Sequence, residues 1–211
     1  EMIERWLAWF VAFVQHCRDL DVEVKVQTLG HEYPNLRTAI RWCREYEVWT
    51  TLLPLIEGTE AYPYLTGLTA DRQELLMAAI AASQKLGYEQ KQGRFERYLA
   101  NAYRVYGHYT VAEAHLRAAE EIAQRYDDRV ELGWIWNSRV FILRHDGQTR
   151  AATALAHAIL EIGEHLNDAQ LRIAAASRLT EIALEEDAVA TAVAWLDKVE
   201  AWTRESGSPR Q

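Results

Sequence analysis

The fold of this chain is decided by one stretch near its middle, Leu99-Ala-Asn-Ala-Tyr-Arg-Val-Tyr-Gly-His-Tyr-Thr-Val-Ala-Glu-Ala-His-Leu-Arg-Ala-Ala119. Apolar and small residues recur at helical spacing on both sides of Gly107, which predicts two helices joined by a tight turn. Glycine suits that turn because it adopts the left-handed conformation without a Cβ penalty. The stretch therefore predicts an antiparallel helix pair.

The same pattern recurs along the chain with a step of forty residues, which separates Gly67, Gly107, Gly147 and Asp187. One helix pair cannot bury its own apolar stripe, whereas stacked pairs bury a continuous core. We therefore predict an all-α fold, a right-handed α-solenoid of antiparallel helix pairs. We expect the turn at Asp187 to differ, because aspartate adopts the left-handed conformation less readily than glycine. Small and apolar residues keep the same register, namely Ala112, Ala152 and Ala192, then Leu76, Leu116, Ala156 and Leu196, then Ala79, Ala119, Ile159 and Val199.

Composition narrows the classes of partner. The chain has 211 residues and a formal net charge of −8, which is the wrong sign for sequence-independent binding to nucleic acid or to anionic membranes. The apolar segment from Trp6 to Val14 is about half the length of a bilayer span, so we expect a buried helix there. Cys17 and Cys43 lack metal-binding spacing, and we expect two buried thiols in a reducing, cytoplasmic protein.

The repeat resembles the tetratricopeptide repeat (TPR) family. The next unit keeps Trp136, Gly147, Ala152 and Ile159, and the last keeps mainly Ala192 and Leu196. The resemblance implies a TPR-like superhelix with a concave groove, and a step of forty rather than about thirty-four residues implies longer helices or linkers. The best match lies in the quoted stretch, at Leu99, Ala100, Tyr103, Gly107, Tyr109, Ala112, Leu116 and Ala119.

A second resemblance covers Leu29-Gly-His-Glu-Tyr-Pro-Asn-Leu-Arg-Thr-Ala-Ile-Arg-Trp42, which is similar to the Leu-x-x-Glu-x-x-Asn-Leu-Arg-x-Ala-Leu-x-Trp stretch of bacterial STAND-type signalling ATPases. Pro34 departs from that pattern and is expected to begin a new helix. The alternation of Val22, Val24 and Val26 is a weak strand signal, which the family resemblance outweighs. The residues that match are Glu32, Asn35, Leu36, Arg37, Ala39 and Trp42.

This second resemblance implies a domain plan. Residues 1–47 would be N-terminal helices linking to an upstream winged-helix and NB-ARC module that this chain does not include. Residues 48–205 would form four TPR-like helix pairs, and residues 206–211 a disordered tail. The family places its TPR sensor after the nucleotide-binding module, so that module is an expected partner.

The sequence contains no recognised catalytic or nucleotide-binding motif, since it lacks GxxxxGK[ST], GxSxG and HExxH patterns. We therefore predict no enzymatic activity, no cofactor and no metal site. The leading hypothesis is a sensor and autoregulatory domain of a STAND-type ATPase. The alternative is a stand-alone TPR scaffold that joins protein partners through its concave groove.

The TPR resemblance also implies that one face of the first helix in each unit lines that groove. Arginine is frequent on this face, which favours a protein or peptide partner with acidic groups, since arginine pairs bidentately with carboxylates. The alternative is that these arginines only pair with neighbouring glutamates such as Glu96, Glu181 and Glu185. A weak dimer through an exposed repeat end near Trp202 is also expected. The predicted groove residues are Arg94, Arg97, Tyr98, Asn101, Arg104, Trp134, Asn137, Phe141, Arg144, His145 and Arg178.

Overall fold

A computed structural model describes residues 1–207, which form eleven α-helices and no strand. The predicted all-α class is therefore confirmed over this part of the chain. The helices are α1 (Met2–Cys17), α2 (Val22–Glu45), α3 (Trp49–Thr59), α4 (Ala61–Thr66), α5 (Thr69–Leu86), α6 (Glu89–Val105), α7 (Tyr109–Arg125), α8 (Arg129–His145), α9 (Thr149–His165), α10 (Ala169–Glu185) and α11 (Val189–Gly207).

Left-handed residues separate the helices at a regular step. The prediction that the turn at Asp187 differs from the glycine turns is wrong. Asp187 has a φ of 56°, a left-handed conformation that a short polar side chain tolerates. From α6 to α10 every helix has 17 residues, so the extra length of the repeat lies in its helices. Positive φ occurs twenty residues apart at Glu47, Gly67, Gly87, Gly107, Asp127, Gly147, Asn167 and Asp187, so each forty-residue repeat contains two equal halves.

The chain divides into two compact units, Glu1–Ala102 and Tyr103–Gln211. In the first unit, α2 begins at Val22 as a helix and continues through Pro34, so the prediction that Pro34 begins a new helix is wrong. Leu29 and Leu36 on either side of the proline are fully buried. Burial of this continuous stripe outweighs the one backbone hydrogen bond that proline removes.

The core of the first unit forms where α1 and α2 pack on α3. Gly58 allows the close approach of α3 to α1, because a Cβ there would lie 2.4 Å from the Cβ of Val14. The helix α1 buries one face only, with Phe10 buried and Trp9 52% exposed, so the expectation of a buried helix holds for half of it. None of the helices in residues 1–207 combines the length and the apolar character needed to cross a membrane.

In the second unit each helix from α7 to α11 packs on the next, and α8 also packs on α10. The small residues of the repeat are central to this core, since Ala152 and Ala156 on α9 are fully buried beside Leu171 of α10. Gly163 brings the backbone of α9 close to that of α10, with Arg172 as its neighbour. Gly133 of α8 in turn lies against Leu171 of α10, where a Cβ would come within 3.0 Å of Cδ2, so α8 and α10 lie side by side.

The last helix, α11, exposes an aliphatic face. Val193 and Leu196 are each 50% exposed, whereas Leu116 and Ala156, at the position equivalent to Leu196, are fully buried. Trp202, expected at the exposed end, instead packs against the core with Arg172 5.3 Å from its ring centroid. The helix extends to Gly207, so the expected tail of residues 206–211 begins inside it, and residues 208–211 lie outside the described residues.

Candidate functional site

The second unit contains a cluster of three arginines around one phenylalanine, here called the arginine cluster. Arg104 lies in the last turn of α6, Phe141 and Arg144 lie near the end of α8, and Arg178 lies on α10. The forty-residue register places Arg104 and Arg144 at equivalent positions. These four predicted groove residues, which come from three different helices, are brought together by the fold.

The ring of Phe141 is the centre of the cluster. The guanidinium carbons of Arg104 and Arg178 each lie 4.0 Å from its centroid, and that of Arg144 lies 6.0 Å away. Cations at such distances are attracted by the negative face of the ring. The phenylalanine therefore holds three positive groups close together that would otherwise repel one another.

Two glutamates of α10 complete the site. Arg144 donates from Nε to Oε2 of Glu185 at 3.2 Å and from Nη2 to Oε1 at 2.5 Å, which is a bidentate pair. Its Nη1 donates to Glu181, which also accepts from Nη1 of Arg178 at 2.9 Å. Pairing of the arginines with neighbouring glutamates is thus observed at Arg144 and Arg178. The hydrogen bond from Arg144 lowers the pKa of Glu185.

Arg178 is the least satisfied member of the cluster. Burial, together with the nearby charges of Arg144 and Arg104, lowers its pKa, although the charge of Glu181 opposes this effect. Its Nε is buried, as is Oδ1 of Asn137 on α8, and neither atom has a hydrogen-bond partner among the described residues. Buried polar atoms are normally hydrogen-bonded, so these two atoms are exceptions within the second unit.

Two further predicted residues of the second unit lie elsewhere. Trp134 is partly buried and packs against the hydrophobic core, and its carbonyl accepts a hydrogen bond from Ser138. His145 is exposed, with its ring 4.2 Å from that of Tyr109 beside the Gly107 turn. The fold does not bring either side chain to Phe141.

Four predicted residues, Arg94, Arg97, Tyr98 and Asn101, lie on α6 within the first unit. Arg94 and Tyr98 line a depression there, and the guanidinium of Arg97 lies 4.7 Å from the Tyr98 ring centroid. The other residues of this depression are Arg18, Glu57, Glu60, Lys91 and Phe95. Two of its carboxylates are already paired, since Lys91 donates to Glu57 at 2.6 Å and Nε of Arg72 donates to Glu60 at 2.8 Å.

The sequence named Glu185 as a possible partner of the arginines but did not identify Arg144 as the residue it pairs with. One feature of the helix ends points to this pairing. The last turns of α6 to α9 contain basic residues, whereas α10 ends in acidic ones and has no basic residue there. Negative charge at a helix C-terminus is unfavourable, which indicates a nearby cation. Arg144, forty-one residues earlier, is that cation.

Among residues 1–207 there is no group of three or more histidine, cysteine or acidic side chains that could hold a metal ion. The arginine cluster has the chemistry for recognising anions. Guanidinium groups offer planar pairs of donors to carboxylates, and the aromatic ring keeps those groups in place.

Comparison with known proteins supports the fold. No family model matches the chain, and no curated protein matches it. Among solved structures, BtubC (BKLC) from P. vanneervenii is similar with a TM-score of 0.66 and 16% identity, over 100% of this chain and 94% of that chain. A putative kinesin light chain with nearly identical TPR-like repeats from Podosopora anserina has a TM-score of 0.56 and 15% identity, over 99% and 98% of the two chains. A single-substitution variant of that protein gives 0.59 and 14%, over 99% and 97%. The predicted TPR-like α-solenoid class is therefore confirmed.

Proposed function

We propose that this chain is a non-catalytic interaction domain that binds an acidic segment of a protein partner at the arginine cluster. The observation that carries the proposal is the convergence of Arg104, Arg144 and Arg178 on Phe141. TPR-like repeats are suited to this role, because stacked helices present side chains from several repeats to one partner. No reaction is required of the domain.

The charge of the whole chain supports a specific rather than a general anion site. With a net charge of −8, the protein repels polyanions at a distance, so an acidic partner gains affinity only at a local basic cluster. The same argument disfavours nucleic acid and anionic membranes as partners. A short acidic peptide therefore matches the cluster better than a long polyanion does.

Binding of a fluorescein-labelled polyglutamate peptide, followed by fluorescence anisotropy, tests this proposal. A hydrogen bond to a charged group contributes about 1.5–3 kcal/mol, so Arg104→Gln is expected to weaken binding by roughly tenfold or more. Arg150→Gln is the matched control, because Arg150 is an exposed arginine of α9 outside the cluster. Equal binding by the wild type and both variants would reject the cluster as the site.

At a finer level, we propose that the domain is the sensor of a bacterial, cytoplasmic STAND-type ATPase, with residues 1–47 leading from its nucleotide-binding module. The resemblance of the Leu29–Trp42 block to that family supports this proposal. The block lies within α2, and its Arg37 donates to Asp71 of α5 at 2.8 Å and to Glu74 at 3.1 Å. A ligand that prefers one arrangement of the sensor would shift the state of the upstream module by linkage.

The second candidate is a stand-alone scaffold that joins protein partners. A TPR-like fold suits this role as well, because stacked helices present side chains from several repeats to one partner. Sequencing the gene upstream of the codon for Glu1 discriminates the two. A P-loop followed by a winged helix supports the sensor, whereas a start codon supports the scaffold.

We also propose weak self-association through the exposed face of α11. Val189, Val193 and Leu196 follow one another at helical spacing and are each at least half exposed. Stable interfaces bury more than roughly 1,000 Å² in total, and one short stripe supplies less, so a weak dimer is expected. Sedimentation equilibrium should show association that Val193→Glu removes, and a monomer at every concentration would refute the dimer.

A further inference from the structure

The end of α10 is unusual in its charge. Glu185 is its last residue, Glu186 follows directly and Glu181 lies one turn earlier, and the last turn contains no basic residue. The C-terminus of a helix already carries partial negative charge, so this turn is unfavourable on its own. Two arginines offset this charge: Arg178, on the same helix, pairs with Glu181, and Arg144 of α8 pairs with both glutamates.

The contact between Glu185 and Arg144 has the geometry that an arginine offers to a ligand. The Arg144 side chain is 14% exposed, whereas that of Glu185 is 51% exposed. The Glu185 carboxylate thus covers the solvent side of the largely buried Arg144 guanidinium. If the carboxylate rotates away, it becomes hydrated and leaves no buried unpaired charge of its own. An external carboxylate could make the same two hydrogen bonds from the same side.

We propose that Glu185 and Glu181 are built-in competitors, which occupy the arginine cluster until an acidic ligand displaces them. This inference rests on the proposed function and adds how the site is regulated and which ligand it prefers. Because Glu181 and Glu185 are four residues apart on one helix, the ligand that best replaces them is a helix with two carboxylates at the same spacing. Once they leave, Arg144 and Arg178 require both charges from the ligand.

Displacement also transmits a signal within the second unit. Glu181 and Glu185 connect α10 to α8 through Arg144 and precede the left-handed turn at Asp187, after which α11 begins. Release of both carboxylates removes the ion pairs that compensate the acidic end of α10. The last turn of α10 therefore becomes less protected when the ligand is bound, and occupancy of the site is coupled to the start of α11.

Glutamine variants test this inference with the polyglutamate probe. Glu185→Gln removes the competing charge with little change in shape, so the probe should bind roughly tenfold more tightly than to the wild type. Glu186→Gln is the matched control, because it makes the same change of net charge one residue away with no ion pair to Arg144. Its effect should stay within about twofold, as expected for a solvent-screened charge.

The outcomes separate the two proposals. If the wild type binds and Arg104→Gln weakens binding, but Glu185→Gln and Glu186→Gln behave alike, the competitor role is overturned and the site stands. If no variant binds the probe, both proposals fail. If only Glu185→Gln binds, both are supported.

Two further measurements examine the ligand class and the signal. A labelled alanine-rich helix with glutamates four residues apart should bind more tightly than one with the same composition and glutamates two residues apart. Hydrogen exchange at the amides of residues 182–185 should accelerate when the probe binds to the wild type. Equal affinity for both helices, or unchanged exchange, contradicts the corresponding part of the inference.

Discussion

The close approach of α9 and α10 at Gly163 leads to a prediction whose sign is opposite to that of helix propensity. Alanine is the better helix former, by about 1 kcal/mol, so Gly163→Ala would stabilise an isolated helix. In the folded chain the new Cβ would lie 2.9 Å from the backbone nitrogen of Arg172 and 3.0 Å from its Cγ. A backbone atom cannot rotate away, so the two helices must separate.

The size of the effect follows from these two terms. Overpacking costs about 1–3 kcal/mol, and a clash with a backbone atom lies in the upper part of that range, at about 2–3 kcal/mol. Subtracting the gain in propensity of about 1 kcal/mol leaves an expected loss of about 1–2 kcal/mol. For a chain of this size, that corresponds to a fall of the thermal midpoint by about 2–8 °C. Circular dichroism at a helical wavelength, followed during heating and urea titration, measures the change.

Gly30→Ala is the control for this prediction. There the new Cβ would meet the far end of the Tyr62 ring at 3.2 Å, which a small rotation relieves, so stability should stay within about 1 kcal/mol of the wild type. A Gly163→Ala variant as stable as the wild type, or more stable, would refute the reasoning that these helices are in backbone contact.

The remaining predictions concern burial and pH. Leu116→Ala should cost about 2–5 kcal/mol because the side chain is fully buried, whereas Leu196→Ala, at the equivalent but half-exposed position, should cost much less. Burial alone would raise the pKa of Glu120. Hydrogen bonds from Arg139 and Trp136 have the larger, opposite effect, so the pKa of Glu120 lies below its ordinary value. The ionised Glu120 carboxylate therefore stabilises the folded state at any pH above its ordinary pKa. That stabilisation is lost as the pH falls through the lowered pKa of the folded state. Thermal midpoints below about pH 4 should therefore fall less steeply in Glu120→Gln than in the wild type.

The helix pairs could be predicted because their physical cause is local. Glycine at positions 67, 107 and 147 indicates left-handed turns, and these residues do have positive φ. The alternate turns at Glu47, Asp127 and Asn167 have the same conformation without glycine. Glutamate has no preference for this conformation, and aspartate and asparagine prefer it less strongly than glycine does. The twenty-residue half-repeat was therefore recognised only in the structure.

The candidate site could be predicted only in part. The repeat register grouped Arg104, Phe141, Arg144 and Arg178, and the structure places these side chains together because residues at related positions of successive repeats lie near one another. It also grouped His145, whose ring instead packs on Tyr109, because consecutive helical residues are rotated by about 100° and His145 therefore faces away from Arg144. The pairing of Arg144 with Glu185 depends on side-chain rotamers, and these follow from packing rather than from spacing.

A crystal structure of the chain with the polyglutamate peptide bound would show directly which carboxylate occupies Arg144. We expect a peptide carboxylate on Nε and Nη2 of Arg144, with the Glu185 carboxylate turned into solvent. A peptide bound elsewhere, with the bidentate pair of Arg144 and Glu185 intact, would contradict this expectation.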